Sequence, residues 1–249
     1  MKISAVIITF NEAKNINRCL LSLQGIADEI LVVDSNSTDD TVNICKEMGA
    51  KAVLHTFEGY GPQKQFAVDL AQYDMILSLD ADEELSQELK ISIEKVKTSG
   101  TEYAAYDFNR LNFYCGRPIR FCGWYPDCKI RMFNRKVCGW DMLSVHEVVE
   151  APAGEETRHL KGDLNHYTYI SEEQHYLKMR HYAELASIDL KKRNKKKMAM
   201  LIYLKTTFRF FNTFLIKLGL LDGIYGYKIS LAGAKYVYWK YTLASRKVV

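Results

Sequence analysis

The chain has 249 residues, 48% of them apolar and 26% charged, which fits a folded core of one large domain or of one domain with an extension. Those proportions exclude the compositional extremes of disordered and fibrous chains. The net charge of +4 hides an asymmetry: residues 1–190 carry −9 and residues 191–249 carry +13, the split expected of a catalytic body joined to a segment with an anionic partner.

Ile3 to Phe10 is a nearly continuous apolar, β-branched run, as in a strand buried on both faces of a parallel sheet. It is too short for a signal peptide, lacks a small-residue cleavage site and runs straight into Asn11-Glu12. Asn11 reads as a helix N-cap, with Ile16, Leu20 and Leu23 on one face until Gly25. A second strand spans Ile30–Val33 and ends at Asp34. A helix from Thr41 to Met48 stops at Gly49, and a third strand covers Ala52–His55. Pro62 fits the first turn of a helix running to Ala71, and a fourth strand, Met75–Leu79, ends at Asp80. This alternation predicts an α/β fold with an open, mostly parallel sheet flanked by helices, whose ligands bind beyond the carboxyl ends of the strands.

Residues 103–149 read as an irregular, aromatic, β-rich half punctuated by Gly116, Gly123 and Gly139. Ser171-Glu172-Glu173-Gln174 resembles a capping box opening a long helix to about Lys192. The six cysteines are scattered without a CxxC pair, so reduced thiols are expected and a zinc site is not.

The predicted strand ends are polar and acidic. Asp80-Ala81-Asp82 places two carboxylates where both approach one divalent ion, Mg²⁺ or Mn²⁺, which takes hard oxygen ligands and shares its shell with phosphates; a solvated acidic turn is the plainer reading. Asp34 suits a ribose hydroxyl or base N–H. No Gly-x-Gly-x-x-Gly follows the first strand, which disfavours a nicotinamide or flavin enzyme, and no Walker-type lysine loop occurs. Gly59-Tyr60-Gly61-Pro62-Gln63-Lys64 brings amides and Lys64 towards an anion such as a diphosphate; an ordinary turn with a surface lysine is its rival.

Together these segments resemble the family 2 glycosyltransferases of the GT-A nucleotide-sugar fold. The resemblance rests on Val6-Ile7-Ile8-Thr9-Phe10-Asn11-Glu12, Val32-Val33-Asp34-Ser35-Asn36-Ser37-Thr38-Asp39-Asp40-Thr41 and Leu79-Asp80-Ala81-Asp82-Glu83 in that order. It is nearer still to the branch containing bacterial lipopolysaccharide core β-1,4-glucosyltransferases. That likeness runs through Gly59–Lys64, Gly123-Trp124-Tyr125-Pro126-Asp127, Val145-His146-Glu147, Lys161-Gly162-Asp163-Leu164-Asn165-His166 and Leu221-Asp222-Gly223. Phe10 and Cys122 depart from the branch, blurring a nucleotide contact and the acceptor side.

The resemblance implies a catalytic domain over residues 1–170, with a nucleotide-binding half (1–100) and an acceptor-side half (101–170), then a helical basic extension over 171–249. It implies an inverting, metal-dependent hexosyltransferase moving a sugar, glucose in the nearest branch, from a UDP-sugar to a glycan or glycolipid such as lipopolysaccharide core. Thr9, Asn11, Glu12, Asp34, Ser35, Lys64, Asp80, Ala81 and Arg131 would hold the nucleotide-sugar, and Asp82 with Asp80 the metal. The base that deprotonates the acceptor hydroxyl must be a carboxylate or histidine. Glu147 is the first candidate, with His146 orienting it. Asp127, beside the sugar-stacking rings of Trp124 and Tyr125, is the second and Asp141 the third; pairing with Arg110, Arg131 or Arg135 is the structural alternative for each.

Residues 198–249 mix aromatic and aliphatic side chains with spaced cations, Phe208, Phe211, Phe214, Leu215 and Leu218 sharing one helical face. No uncharged run reaches the ~20 residues of a spanning helix, so residues 191–249 read as an interfacial element at the inner face of the cytoplasmic membrane. Each cation near anionic lipid contributes about 1 kcal/mol. Packing on the catalytic body is the alternative. Nucleic acid is disfavoured, because the aromatics cluster with aliphatics. Two rival functions remain at this level: a membrane-surface nucleotide-sugar-binding protein without turnover, and a nucleotidyltransferase.

Overall fold

The computed structural model describes residues 1–100, 103–143, 147–152, 154, 156–192 and 199–245. Two compact units emerge: Met1–Arg110 with Asp127–His166, and Leu111–Pro126 with Tyr167–Val249.

In chain order the first unit contains β1 (Ile3–Thr9), α1 (Ile16–Leu23), β2 (Glu29–Asp34), α2 (Thr41–Glu47), β3 (Lys51–Leu54), α3 (Tyr60–Asp69), β4 (Met75–Asp80), β5 (Glu83–Leu85) and α4 (Gln87–Ser99). Then follow β6 (Ala105–Tyr114), the two-residue β7 (Arg117–Pro118), β8 (Cys128–Asn134), the paired β9 (Gly139–Trp140) and β10 (Val149–Glu150), and β11 (Thr157–Tyr169). The sheet order is β3-β2-β1-β4-β8-β6-β11-β5, with β7 pairing β6. The first four strands are parallel, and β8 and β5 pair antiparallel with β4 and β11. This is the α/β, GT-A-like arrangement expected, with β3-β2-β1-β4 as a parallel part.

The apolar runs are continuous because successive residues feed two cores. Ile3, Ala5 and Ile7 of β1, Val32 of β2 and Leu77 and Leu79 of β4 pack with Leu20, Leu23, Leu89 and Ile93. Val6, Leu31, Val33 and Ile76 point the other way, against Ala67, Val68, Phe133 and Trp140. Each such aliphatic side chain contributes roughly 1.5–3 kcal/mol on burial, so a polar substitution in β1 is felt in one core or the other.

One local expectation fails. Asn11 is not a helix N-cap: it sits at φ 55, donates its backbone N–H to Ser37 Oγ (2.8 Å) and accepts from the Thr38 N–H (2.8 Å). Its amide is engaged across the sheet edge, residues 12–15 form a turn, and α1 starts only at Ile16.

The second unit holds α5 (Glu172–Lys192), α6 (Ala199–Phe211) and α7 (Gly223–Ser245), with α7 packed on both α5 and α6. The capping box is present in outline. Ser171 Oγ accepts from the Gln174 N–H (3.1 Å), while Gln174 Oε1 reaches back to the N–H of Ile170 (2.9 Å), one residue earlier than in the usual form. Asp222 explains the Leu221-Asp222-Gly223 segment: its carboxylate accepts from the backbone N–H groups of Arg120 (3.2 Å) and Phe121 (2.9 Å). Trp124 packs within this unit against Tyr114, Tyr169 and His175.

Candidate active site

Strand order decides where a ligand can lie. β2 and β3 stand on one side of β1 and β4 on the other, so the winding direction reverses beside β1, and ligands of open α/β sheets bind beyond the strand ends at that point. The register sets Thr9 opposite Asp34 and Ile8 opposite Asp80. Three chain segments distant in sequence are thereby aligned at one edge.

The loops after β1 and β2 lock together there. Buried Asp34 accepts from the Ser37 N–H (2.7 Å) and hydroxyl (2.5 Å). The Glu12 N–H donates to Thr41 Oγ1 (2.9 Å), and Glu12 Oε2 accepts from the Asn15 amide (2.7 Å). Ser35 Oγ accepts from Gln63 Nε2 (3.0 Å), whose Oε1 lies 2.8 Å from His55 Nδ1. Thr9 Oγ1 is buried without a hydrogen-bond partner. Phe10 points out of this network, more than half exposed.

Beside it lies a dense charge cluster. Lys64, on α3 and only 2% exposed, donates to Glu147 Oε1 (2.8 Å) and Asp80 Oδ2 (3.3 Å) and sits 4.6 Å from the Trp140 ring centroid. Arg131, on β8 and equally buried, donates to Asp80 Oδ2 (3.1 Å) and Glu83 Oε1 (3.0 Å). Glu83 in turn accepts from the Asp80 backbone N–H (2.9 Å), tying the turn after β4 to both arginine and strand. Burial works to raise the Asp80 pKa, but the Lys64 ammonium and the Arg131 guanidinium outweigh it and hold the carboxyl far below the usual range. Burial opposes the charged form of Arg131, and Glu83 and Asp80 more than offset that, raising its pKa.

Asp82 stands apart from that cluster. Its Oδ2 lies 3.3 Å from Nε2 of His166 on β11, and Ala81 between the carboxylates is buried. Asp80 Oδ1 is buried and lies 3.0 Å from Lys64 Nζ. Two carboxylates two residues apart at the strand end supply hard oxygen donors that fit a divalent cation, with the His166 imidazole beside Asp82. His166 received no role from sequence; its place at the end of the Lys161–His166 segment was the available signal. Glu83 was also missed, since a third acid after Asp-x-Asp reads as a solvated turn.

A cavity of about 410 Å³ opens on this cluster, lined by Asp80, Arg110, Lys129, Arg131, Trp140 and Glu147 among others. Asp127 faces Arg110, whose Nε and a terminal nitrogen donate to it at 2.9 and 2.7 Å, and Lys129 lies 3.1 Å away. Burial raises and Arg110 lowers its pKa, the net shift being downward. Asp141 is occupied locally, accepting from the Leu143 N–H (3.4 Å). His146 lies outside the described residues. The structure thus brings Lys64, Asp80, Arg131 and Glu147 together, seats Asp82 with His166, and leaves Asp127 as a paired carboxylate.

A profile of the family described as Glycosyl transferase family 2 matches residues 4–133. An uncharacterized glycosyltransferase of Rickettsia bellii is 36% identical over 241 residues, covering 92% of this chain and 81% of the relative. The lipopolysaccharide core biosynthesis glycosyltransferase LpsC of Rhizobium meliloti is 26% identical over 196 residues, covering 74% and 70%. Among solved structures, S. aureus TarS 1-349 in complex with UDP aligns at a TM-score of 0.47 and 16% identity, over 98% of this chain and 90% of that one.

Proposed function

We propose, from the premise that the chain belongs to glycosyl transferase family 2, that it transfers a sugar, glucose in the simplest reading, from a UDP-sugar to a glycolipid acceptor with inversion at the anomeric carbon. The observation that carries this reading is the cluster of Lys64, Asp80, Arg131 and Glu147 around one cavity at the reversal point of the sheet. Buried cations there face any leaving diphosphate, and a carboxylate stands ready for the acceptor hydroxyl.

Asp82 and Asp80, with His166 adjoining, would hold Mg²⁺ or Mn²⁺. Such an ion, when bound, supplies charge neutralisation to the leaving diphosphate. Lys64 and Arg131, both buried, add preorganised positive charge, and each is worth more there than at the surface. Glu147 takes the proton from the acceptor hydroxyl, and Lys64 holds it in place. The loop of Asn11, Glu12, Asp34 and Ser35, braced by Ser37 and Thr41, receives the nucleoside. Thr9 Oγ1, buried without a partner, faces the same strand end.

A lipopolysaccharide-core acceptor is supported by the likeness to LpsC and by the chemistry of the second unit. On α6 the side chains of Met200, Leu204, Phe208 and Phe211 recur at helical spacing and are half or more exposed, with Lys205 and Arg209 among them. Among the described residues no helix is long and apolar enough to cross a membrane. An apolar stripe flanked by cations suits a helix lying in an anionic lipid surface. In this proposal the enzyme works at the inner face of the cytoplasmic membrane.

The deciding experiment incubates the purified chain with UDP-sugars and Mn²⁺ or Mg²⁺, with and without membrane acceptors, and reads UDP release and product mass. Metal-dependent release abolished by Asp82→Ala supports the transferase. Binding without turnover, with acceptors supplied, would sink it in favour of a nucleotide-sugar-binding protein.

A further inference from the structure

The geometry points to a second cation site, for a thiophilic divalent ion of the Zn²⁺ class, formed by Asp107 of β6, Cys128 of β8 and His159 of β11. The donor atoms of these residues all lie within 4.8 Å of one another. Cys128 Sγ is 2.9 Å from Asp107 Oδ1 and 3.7 Å from His159 Nδ1, and His159 Nδ1 is 2.5 Å from the same Asp107 oxygen.

Strand register builds the group. Asn109 pairs with Cys128, so Asp107, two residues back on β6, shares a sheet face with Cys128 as its diagonal neighbour. β11 follows β6 in the sheet order and brings His159 from the other side. Three donors on three consecutive strands have their backbones held by the sheet, so an ion need not order them at binding.

Chemistry selects the ion. A thiolate, an imidazole and a carboxylate are the ligand types of Zn²⁺, with distances of about 2.3 Å to sulfur and 2.0–2.2 Å to nitrogen or oxygen. Three ligands at such distances stand somewhat farther apart than Asp107 does from His159 and Cys128, so binding opens this hydrogen-bonded triangle by side-chain rotation. The His159 side chain is about half exposed at 48%, which leaves water the fourth position. Mg²⁺ and Mn²⁺ prefer all-oxygen shells, so this group and the Asp80–Asp82 pair favour different ions. The two share no ligand, although Cys128 also lines the cavity.

A nucleophilic triad is the competing use of Cys, His and Asp, and geometry rejects it. In a relay the carboxylate orients one ring nitrogen while the other faces the nucleophile. Here Asp107 and Cys128 both face Nδ1 of His159.

Cobalt(II) is the probe, because thiolate ligation gives a sulfur-to-metal charge-transfer band in the near ultraviolet that oxygen sites lack. The full chain should bind one Co²⁺ with that band and lose it when Zn²⁺ is added. Cys128→Ser should abolish the band, and His159→Ala and Asp107→Asn should raise the half-saturating Co²⁺ concentration by at least ~10-fold, as losing even a ligand's outer partner does. Asp82→Ala should retain the band. In unmodified protein, Zn²⁺ should slow alkylation of Cys128 by iodoacetamide, read by peptide mass mapping. No band in the wild type, a band that survives Cys128→Ser in folded protein, or alkylation indifferent to Zn²⁺ would each overturn the site.

Discussion

Lys64 Nζ lies 2.8 Å from Glu147 Oε1, joining a residue of the third helix to one eighty-three positions later. The same ammonium reaches Asp80, so one buried cation connects the first carboxylate of the Asp-x-Asp pair to the candidate base. Removing a buried charge from its partners leaves them uncompensated, which costs about 3–5 kcal/mol. Lys64→Met should therefore lower the midpoint of thermal unfolding by roughly 10 °C in a chain of this size. It should also weaken UDP-sugar binding, measured by calorimetry on the folded variant.

Glu147 and Asp127 are separated by their surroundings. Glu147→Gln keeps shape and removes the base, so kcat should fall by about 10²- to 10⁴-fold, the usual share of general-base catalysis. Asp127→Asn breaks the pairs with Arg110 and Lys129. Its effect should appear mainly in stability, with kcat reduced by less than ~10-fold, a margin below that expected of a lost base. Equal losses of kcat in the two variants would reverse the assignment.

Gly61 carries a backbone contact that no other residue can make. Its N–H donates to Leu143 O (3.0 Å), and a Cβ there would overlap the carbonyl oxygens of Asp141 and Leu143. Those oxygens belong to main chain and cannot swing aside. Gly61→Ala should displace the segment leading to Glu147 and cut turnover more than it lowers the unfolding midpoint, a split visible by pairing steady-state kinetics with calorimetry.

His175 gives the second unit an acid-sensitive core. Burial, helped by Lys178, pushes its pKa down to about 4, and its Nδ1 lies 3.3 Å from the Tyr114 hydroxyl. The unfolded chain protonates the imidazole near pH 6.5, while the folded chain resists until about pH 4. Between these values the unfolded state binds the extra proton, so stability falls as pH falls. The loss is on the order of 3 kcal/mol across that window. Urea midpoints from pH 7 to pH 4 should show the decline, and His175→Gln should flatten it.

The exposed stripe of α6 makes a membrane prediction. Vesicles containing anionic lipid should pellet the protein, and Phe208→Ser with Leu204→Ser should reduce the bound fraction about tenfold or more, since each large apolar side chain contributes roughly 1.5–3 kcal/mol. Neutral vesicles should bind less. Equal binding of the double variant to anionic vesicles would remove this face from the interaction.

Much of this protein is readable from local chemistry. The continuous β-branched run at Ile3–Thr9, the acidic residue ending β2 and the Asp-x-Asp after β4 are short-range patterns, and each strand ended within a residue or so of its predicted position. Asn11 was misread because its side chain answers to Thr38 across the sheet edge, a contact that helix propensity does not encode. The stripe proposed along residues 208–218 was legible only in part. A π-helical turn at Asn212–Ile216 and a left-handed Leu218 break the helical register that spacing alone assumes.

By itself, then, the sequence determined the α/β alternation, the acidic strand ends and the family, all set by neighbours close along the chain. Tertiary structure alone decided which charges meet. Lys64 finds Glu147, Asp82 finds His166, and Asp107, Cys128 and His159 converge, because sheet order and register bring together segments that no fixed spacing relates.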